Sequence, residues 1–373
     1  MLTSHVLKRF EEAFKARHDE ARKLKSEGKR LIGWICTYVP EEVIIAAGLI
    51  PVRVSAGLGD TPRANAYLPT NTCSTMKGCL DTALAKTYDY LEGVVFTNSC
   101  DNMGRCYDIW QLHSGYPYLH FINTPHSKRE TAFKVMLHEL RRFKDSLERS
   151  FKVSIGEDKL REAVKLMNEE RSILSKIYEM RAEDPPPLTG VQSFYVVASA
   201  MSTPKERHLE MLKTLLEEPP KPQSDVKGRP RILVSGSFVD DEARLIDLIE
   251  SSGGLVVADD LCSGSRYFHT LVEEDGKPLE AIARRYINRV PCPFVEHYED
   301  RLNYVKELVK RFNVHGVIIY GVKFCDVHLF DAPILVEELR GMGVPAMFLE
   351  WSHTEVEWAP LKTRVEAFLE TLR

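Results

Sequence analysis

The stretch that most constrains the fold runs from Gly93 to Trp110 and reads GVVFTNSCDNMGRCYDIW. It begins with an apolar, β-branched run of the kind that forms a strand buried on both faces. The strand pattern ends at residues 97–99, and Cys100 follows, just before a helix that we expect to begin near Asp101. Backbone N–H groups and the helix dipole favour a thiolate at such a helix start. In open α/β sheets, ligands bind at this edge.

Three further cysteines are predicted to lie at similar junctions. Cys36 follows a predicted strand at 31–35, and Cys325 follows one at 317–320. Cys73 has no clear strand before it, but it lies where a loop enters a predicted helix. Free cysteines are often small buried hydrophobes, and that interpretation stays open for any one of them. Four thiols at the same kind of junction instead indicate a shared binding site.

Alternating strand and helix patterns predict an α/β protein with two parallel-sheet domains joined by a helical segment. The first domain, with an N-terminal helix, is predicted to cover residues 1–124. A helical region and linker cover 125–229, and the second domain covers 230–373. The segment 217–230, EEPPKPQSDVKGRP, is rich in proline and charge and is the clearest boundary.

Composition excludes several classes of partner. The net charge of -4 gives no reason to expect nucleic acid or an anionic membrane as a partner. No apolar run approaches the roughly 18–20 residues that cross a bilayer, and the first residues lack an apolar signal core. We therefore expect a cytoplasmic protein, in which the eight cysteines stay reduced rather than form disulfides.

The cysteine spacing bears on metal binding. No CxxC pair is present, so a closed zinc ribbon or a compact ferredoxin motif is not predicted. A metal site must therefore be assembled from distant segments. Three cysteines suit an iron–sulfur cluster with one open iron, and zinc with an open position remains an alternative. Cys262 and Cys292 lie near glycine or proline turns and are interpreted as packing residues.

Seven stretches between about residue 30 and the C-terminus carry a family resemblance. They read CTYVPEEVIIAAGLIPVRV, TNTCSTMK, GVVFTNSCDNMGRCYDIW, DDLCSGSRYF, AIARRYINRVPCPF, VKFCDVHLFDAPILVEELRGMGVPAMFLEW and TRVEAFLETL. In this order they resemble the D-component subunits of the 2-hydroxyacyl-CoA dehydratases. They also resemble the related cluster-bearing subunits of ATP-dependent benzoyl-CoA reductase.

The resemblance implies two Rossmann-like domains and one [4Fe–4S] cluster held by Cys73, Cys100 and Cys325. It implies a homologous second subunit, as a heterodimer or homodimer, and an ATP-dependent iron–sulfur activator protein that donates the electron. The implied activity is that of a lyase, a 2-hydroxyacyl-CoA dehydratase, or of a ferredoxin-dependent aryl-CoA reductase (an oxidoreductase) in anaerobic metabolism. Either would use one-electron, ketyl radical chemistry on an acyl-CoA thioester.

Two further points stay open at the level of sequence. Relatives of this family hold a double-cubane [8Fe–9S] cluster with six cysteine ligands, and Cys36, Cys79 and Cys106 are the additional candidates here. That alternative describes an electron-transfer or small-molecule reductase protein without acyl-CoA activity. Glu41 and Glu42, at a predicted helix start, are candidates for positioning substrate or moving a proton. The alternative is that they only complement the helix dipole.

Overall fold

Two four-stranded sheets, both entirely parallel, form the framework of the protein. They are seen in a computed structural model that describes residues 5–222, 224–239, 243–352 and 357–372. The α/β fold class predicted from the sequence is confirmed, and the two sheets agree with two Rossmann-like domains. No helix in these ranges is long and apolar enough to cross a membrane.

The first sheet has the strand order β2-β1-β3-β4. Its strands are β1 (Leu31–Trp34), β2 (Ile50–Arg53), β3 (Leu91–Thr97) and β4 (Tyr118–Ile122). The helices of this half are α1 (His5–Lys15), α2 (Arg17–Ser26), α3 (Glu41–Ala46), α4 (Pro62–Asn65), α5 (Ser74–Leu84) and α6 (Asp101–His113). The predicted single N-terminal helix is thus two helices that meet at Ala16, where the Arg17 guanidinium donates to the Phe14 carbonyl at 2.9 Å.

Four helices follow the first sheet. They are α7 (Glu130–Phe151), α8 (Glu157–Glu179), α9 (Gly190–Ala200) and α10 (Lys205–Glu217). Apolar residues recur on one face of α7 and α8, so each helix buries a stripe of its surface. A capping box, in which Thr189 and Gln192 exchange hydrogen bonds, fixes the start of α9.

The second sheet repeats the topology of the first, with the order β6-β5-β7-β8. Its strands are β5 (Arg231–Gly236), β6 (Leu255–Asp260), β7 (Gly316–Val322) and β8 (Ala346–Trp351). The helices are α11 (Arg244–Ser251), α12 (Ser265–Phe268), α13 (Pro278–Asn288), α14 (Tyr298–Arg311), α15 (Asp326–Gly341) and α16 (Trp358–Glu370). The sheets lie within the predicted ranges 1–124 and 230–373, and the domain boundaries themselves stay predictions.

The shared strand order places the cysteine segments at sheet positions that bind ligands. In this order the direction of winding reverses between β1 and β3, and between β5 and β7. Crevices at the carboxyl ends of strands at such a switch point are the usual ligand sites of open α/β sheets. Cys36 follows β1, Cys100 follows β3 and Cys325 follows β7.

The strand before Cys100 is as buried as its sequence predicts. Val94, Val95 and Phe96 are fully buried, because helices cover both faces of the sheet. Gly93 starts this run opposite Tyr118 of β4, and a Cβ at position 93 would lie 2.2 Å from the Tyr118 carbonyl oxygen. Only glycine allows the two backbones to approach this closely.

Candidate metal centre

Three cysteines occupy the same position in three helices. Cys73 is the N-cap residue of α5, Cys100 that of α6 and Cys325 that of α15. Each thiol therefore lies beside the unpaired N–H groups of a first helical turn, which favour a negatively charged sulfur. We call Cys73, Cys100 and Cys325 the first thiol cluster.

The members of the first thiol cluster interact although they are far apart in the chain. The Cys325 thiol hydrogen-bonds the Cys73 sulfur, and this bond is the main reason why the pKa of Cys73 is lowered to about 7. The same bond, with burial, raises the pKa of Cys325 well above its ordinary value. Burial raises the pKa of Cys100 to about 12, and the charge of Cys73 adds to this effect. Three thiols so close cannot all ionise unless a cationic group joins them.

A contact between the two domains holds the cysteine segments together. The Asn102 side-chain amide, in the first turn of α6, donates to the Phe324 carbonyl at 3.2 Å. Phe324 itself has a φ of 65°, in the left-handed region that non-glycine residues seldom adopt. Such a conformation costs free energy and persists where the surrounding structure imposes it, often at functional sites. Here it directs the chain into Cys325.

The donor set of the first thiol cluster consists of three cysteine thiols. Cysteine thiolates are the ligands of iron–sulfur clusters, and they also bind zinc. Within the described ranges, no three His, Cys, Asp or Glu side chains are grouped as the ligands of one metal ion would be.

An open cavity of about 810 Å³ lies beside the first thiol cluster. It is lined from the first domain by residues on both sides of Cys73, including Thr72, Ser74 and Lys77, and from the second by Lys323 and Phe324. Its volume is within the range of small-molecule sites. Sequence reasoning did not single out these two lysines, although Lys77 ends the TNTCSTMK stretch.

Glu41 and Glu42 are buried at the start of α3 and pair with distant cations. Glu41 contacts the Lys205 ammonium at 3.2 Å, and Glu42 contacts the Arg171 guanidinium at 2.7 Å. Burial raises the pKa of Glu41, and Lys205 only partly opposes this. Burial is also the largest influence on Glu42, but the charges of Arg171 and Arg285, with hydrogen bonds, together outweigh it, so the pKa of Glu42 is lowered.

The same two glutamates accept hydrogen bonds from tyrosines of the second half of the chain. The Tyr267 hydroxyl donates to Glu41 at 2.8 Å, and the Tyr286 hydroxyl donates to Glu42 at 3.0 Å. Neither glutamate lines the cavity beside the first thiol cluster. These contacts favour a structural role that joins the domains, and the catalytic role remains a prediction.

The additional cysteines divide into two kinds. Cys79 and Cys106 are fully buried, and their sulfur atoms lie against the backbone carbonyls of Val54 and Met76, at 3.9 Å and 3.7 Å. These contacts favour packing in the core of the first domain. Cys36 is half-buried, and its charge acts on Cys100. The charges of Cys73 and Cys100 also act on Cys106, so Cys36 and Cys106 are both electrostatic neighbours of the first thiol cluster.

Comparison with known proteins assigns the chain to a family. Residues 36–372 match the family model for the 2-hydroxyglutaryl-CoA dehydratase D-component. The chain therefore belongs to the 2-hydroxyglutaryl-CoA dehydratase D-component family, and it is an enzyme subunit of the dehydratase and reductase type.

Individual relatives are similar over nearly their whole length. The (R)-phenyllactyl-CoA dehydratase beta subunit of Clostridium sporogenes is 27% identical over 94% of this chain and 93% of its own. A benzoyl-CoA reductase subunit of Thauera aromatica is 24% identical over 92% and 91%. The (R)-2-hydroxyglutaryl-CoA dehydratase beta subunit of Acidaminococcus fermentans is 23% identical over the full length of both. All three are named as subunits, which implies a partner subunit.

Proposed function

We propose that Cys73, Cys100 and Cys325 bind a [4Fe–4S] cluster in a subunit of a 2-hydroxyacyl-CoA dehydratase or a benzoyl-CoA reductase-type enzyme. The observation that carries this proposal is the meeting of three helix N-cap cysteines from two domains beside an open cavity. A homologous partner subunit and an ATP-dependent iron–sulfur activator complete the proposed system. The names of the relatives support the substrate class, an acyl-CoA thioester.

A bound cluster with one open iron supplies one-electron transfer and a Lewis acid. The chain itself supplies the position of the substrate. Lys77 and Lys323 place two ammonium groups at the cavity, where they attract the phosphates of coenzyme A. Asp60 is the acidic residue of the lining, so the charged side chains there are two lysines and one aspartate.

Apolar groups of the cavity provide a dry surface for the acyl end of the thioester. Leu68, Pro69 and Phe324 line the cavity together with the polar residues. Excluding water there strengthens electrostatic interactions with the substrate and protects reactive intermediates from side reactions. The first-turn N–H groups of α5 and α6 stabilise the negative charge of the thiolates.

The ligand assignment is tested by iron analysis of the full chain purified without oxygen. Replacing Cys73, Cys100 or Cys325 by Ala removes one of three ligands, so each variant is expected to lose the iron of this site. Cys79→Ala is the matched control, because it removes a thiol that lies against a backbone carbonyl. Unchanged iron in the three ligand variants would refute the assignment.

The reaction is tested with the partner subunit, the activator, ATP and a reductant present. Loss of water from a 2-hydroxyacyl-CoA identifies a dehydratase, and reduction of the benzoyl-CoA ring identifies a reductase. Activity in the wild type that Cys73→Ala abolishes supports the proposal. Turnover of neither thioester by a chain that carries its iron would count against an acyl-CoA enzyme while leaving the cluster assignment intact.

A further inference from the structure

The outer face of α15 carries large apolar side chains that the described part of the chain leaves exposed. Phe330 is 80% exposed and Ile334 is 47% exposed. The inner face of the same helix buries Ala332, Leu335 and Leu339, so α15 is apolar on both sides. A helix that buries one face normally shows polar residues to water on the other. Contiguous exposed apolar surface instead marks an interaction site.

An apolar groove of about 490 Å³ lies beside Phe330, between α15 and the edge strand β8. Leu329, Pro333 and Val336 line it from the helix, and Phe348 lines it from β8. Apart from two charged residues towards the end of the helix, the lining is apolar. Small-molecule sites depend on several placed polar groups to orient the ligand. This groove therefore suits an apolar protein surface better than a small molecule.

Phe330 and the groove form a self-complementary surface. Phe330 is next to Leu329 and one helical turn before Pro333, so the protruding ring and the groove lie side by side on one helix. In a two-fold interface, the same patch of each copy must offer both a projection and the hole that receives it. The charged residues of the lining fit as well, because Glu337 of each copy can approach Arg340 of the other.

We propose that this face of α15 binds a second copy of the chain, so that Phe330 of each copy fills the groove of the other about a two-fold axis. The inference deepens the proposed function by naming its partner subunit. It rests on that function only for the need of a partner, and it does not depend on a bound cluster. The relatives are named as subunits, and a second copy is a partner of the same fold.

The same interface brings the second copy close to the first thiol cluster. Cys325 is the N-cap residue of α15, and Lys323 and Phe324 just before it line the cavity beside that cluster. Phe330 follows Cys325 by five residues, about 7–8 Å along the helix axis. A second copy on α15 therefore extends to the cavity and restricts the access of water to it.

The mass of the full chain in solution, measured by sedimentation after purification without oxygen, tests the interface. The wild type is expected to sediment as a dimer. Phe330→Asp places a charge in the interface and spares the core, because the side chain is exposed, and it is expected to weaken dimerisation about 100-fold. Leu112→Asp is the matched control, because Leu112 is 73% exposed on α6, and it is expected to keep the dimer. A monomeric wild type, or wild-type dimerisation of Phe330→Asp, would overturn the proposal.

A chemical cross-link tests the two-fold pairing of α15 with itself. Ile334→Cys adds a thiol near the middle of the helix, and a short bis-maleimide added without oxygen is expected to join two such chains. Leu112→Cys is expected to stay single. The wild type is also expected to stay single, because its own thiols are all at least partly buried. Absence of the cross-link in Ile334→Cys would refute the pairing.

Iron analysis separates a failure of this interface from a failure of the proposed function. Phe330→Asp is expected to keep the iron content of the wild type, because the three proposed ligands belong to one chain. A monomeric wild type that binds iron would overturn only the interface. A dimer that binds no iron would overturn only the cluster assignment.

Discussion

The Asn102 amide donates a hydrogen bond to the Phe324 carbonyl at 3.2 Å, and this bond links the helix after Cys100 to the residue before Cys325. The bond crosses between the two sheets and lies directly beside the first thiol cluster. It therefore holds the two cysteine segments close together. In a compact ferredoxin motif, short spacing along the chain has that effect.

We predict that Asn102→Ala makes the proposed cluster easier to remove without unfolding the protein. One lost hydrogen bond costs about 0.5–1.5 kcal/mol, enough to increase the rate of iron loss to a chelator several-fold. Gln111→Ala is the control, because Gln111 lies on the same helix and donates to the Tyr107 hydroxyl at an exposed position. Equal rates of iron loss in both variants would contradict a role for the Asn102–Phe324 contact.

Glu42→Gln is predicted to destabilise the fold. Arg171 is 2.7 Å from Glu42 and both are buried, so the substitution leaves a buried cation without its counter-ion, at a cost of about 3–5 kcal/mol. The control is Glu157→Gln, which breaks an exposed pair with Arg161 worth about 0–1 kcal/mol. Chemical denaturation measures the free energy of unfolding of both variants. Full stability of Glu42→Gln with loss of turnover would instead favour the catalytic role predicted from the sequence.

His120 is predicted to make stability depend on pH in the acid range. Burial, with the charge of Arg142, lowers the pKa of His120 from 6.5 to about 4. The contribution of neutral His120 to the free energy of unfolding is therefore fully present above about pH 6.5. It is lost as the pH falls towards 4. Unfolding measurements on His120→Gln should show a weaker loss of stability over this window. His138→Gln, at an exposed position, should keep the wild-type pH dependence.

Two glycine substitutions near Cys100 are predicted to have opposite effects. Gly93→Ala places a Cβ 2.2 Å from the Tyr118 carbonyl oxygen and is expected to destabilise by about 1–3 kcal/mol. Gly104→Ala, in α6, meets nothing within 4 Å and is expected to stabilise by about 0.5–1 kcal/mol. Thermal unfolding measures both, and similar melting temperatures would show that β3 and β4 have room to separate.

The proposed substrate cavity gives a kinetic prediction. Lys323→Gln removes an ammonium group from the cavity lining and is expected to raise the KM for a CoA thioester roughly tenfold, with iron content unchanged. Lys306→Gln is the control, because Lys306 pairs with Glu338 and is not part of the cavity lining. An unchanged KM for Lys323→Gln would place the coenzyme A phosphates elsewhere.

Local sequence patterns determined the strands, the helix starts and the positions of the cysteines along them. The buried run before Cys100, the helix that begins at Asp101 and the helix start after Cys73 depend on residues only a few positions apart, and the structure has them as predicted. The family resemblance selected Cys73, Cys100 and Cys325, and the structure brings their segments together, although their role as ligands stays a proposal.

Only the tertiary structure decided which distant groups meet. The pairing of Glu41 with Lys205, and the approach of Cys36 to Cys292, depend on strand order and on how the two sheets pack. The sequence around each of these residues does not indicate its partner. The groups that bury it or balance its charge are far away in the chain and meet it only in the folded protein. Spacing therefore revealed helix-start thiols one at a time, and the packing of the two domains brought Cys73 and Cys325 into contact.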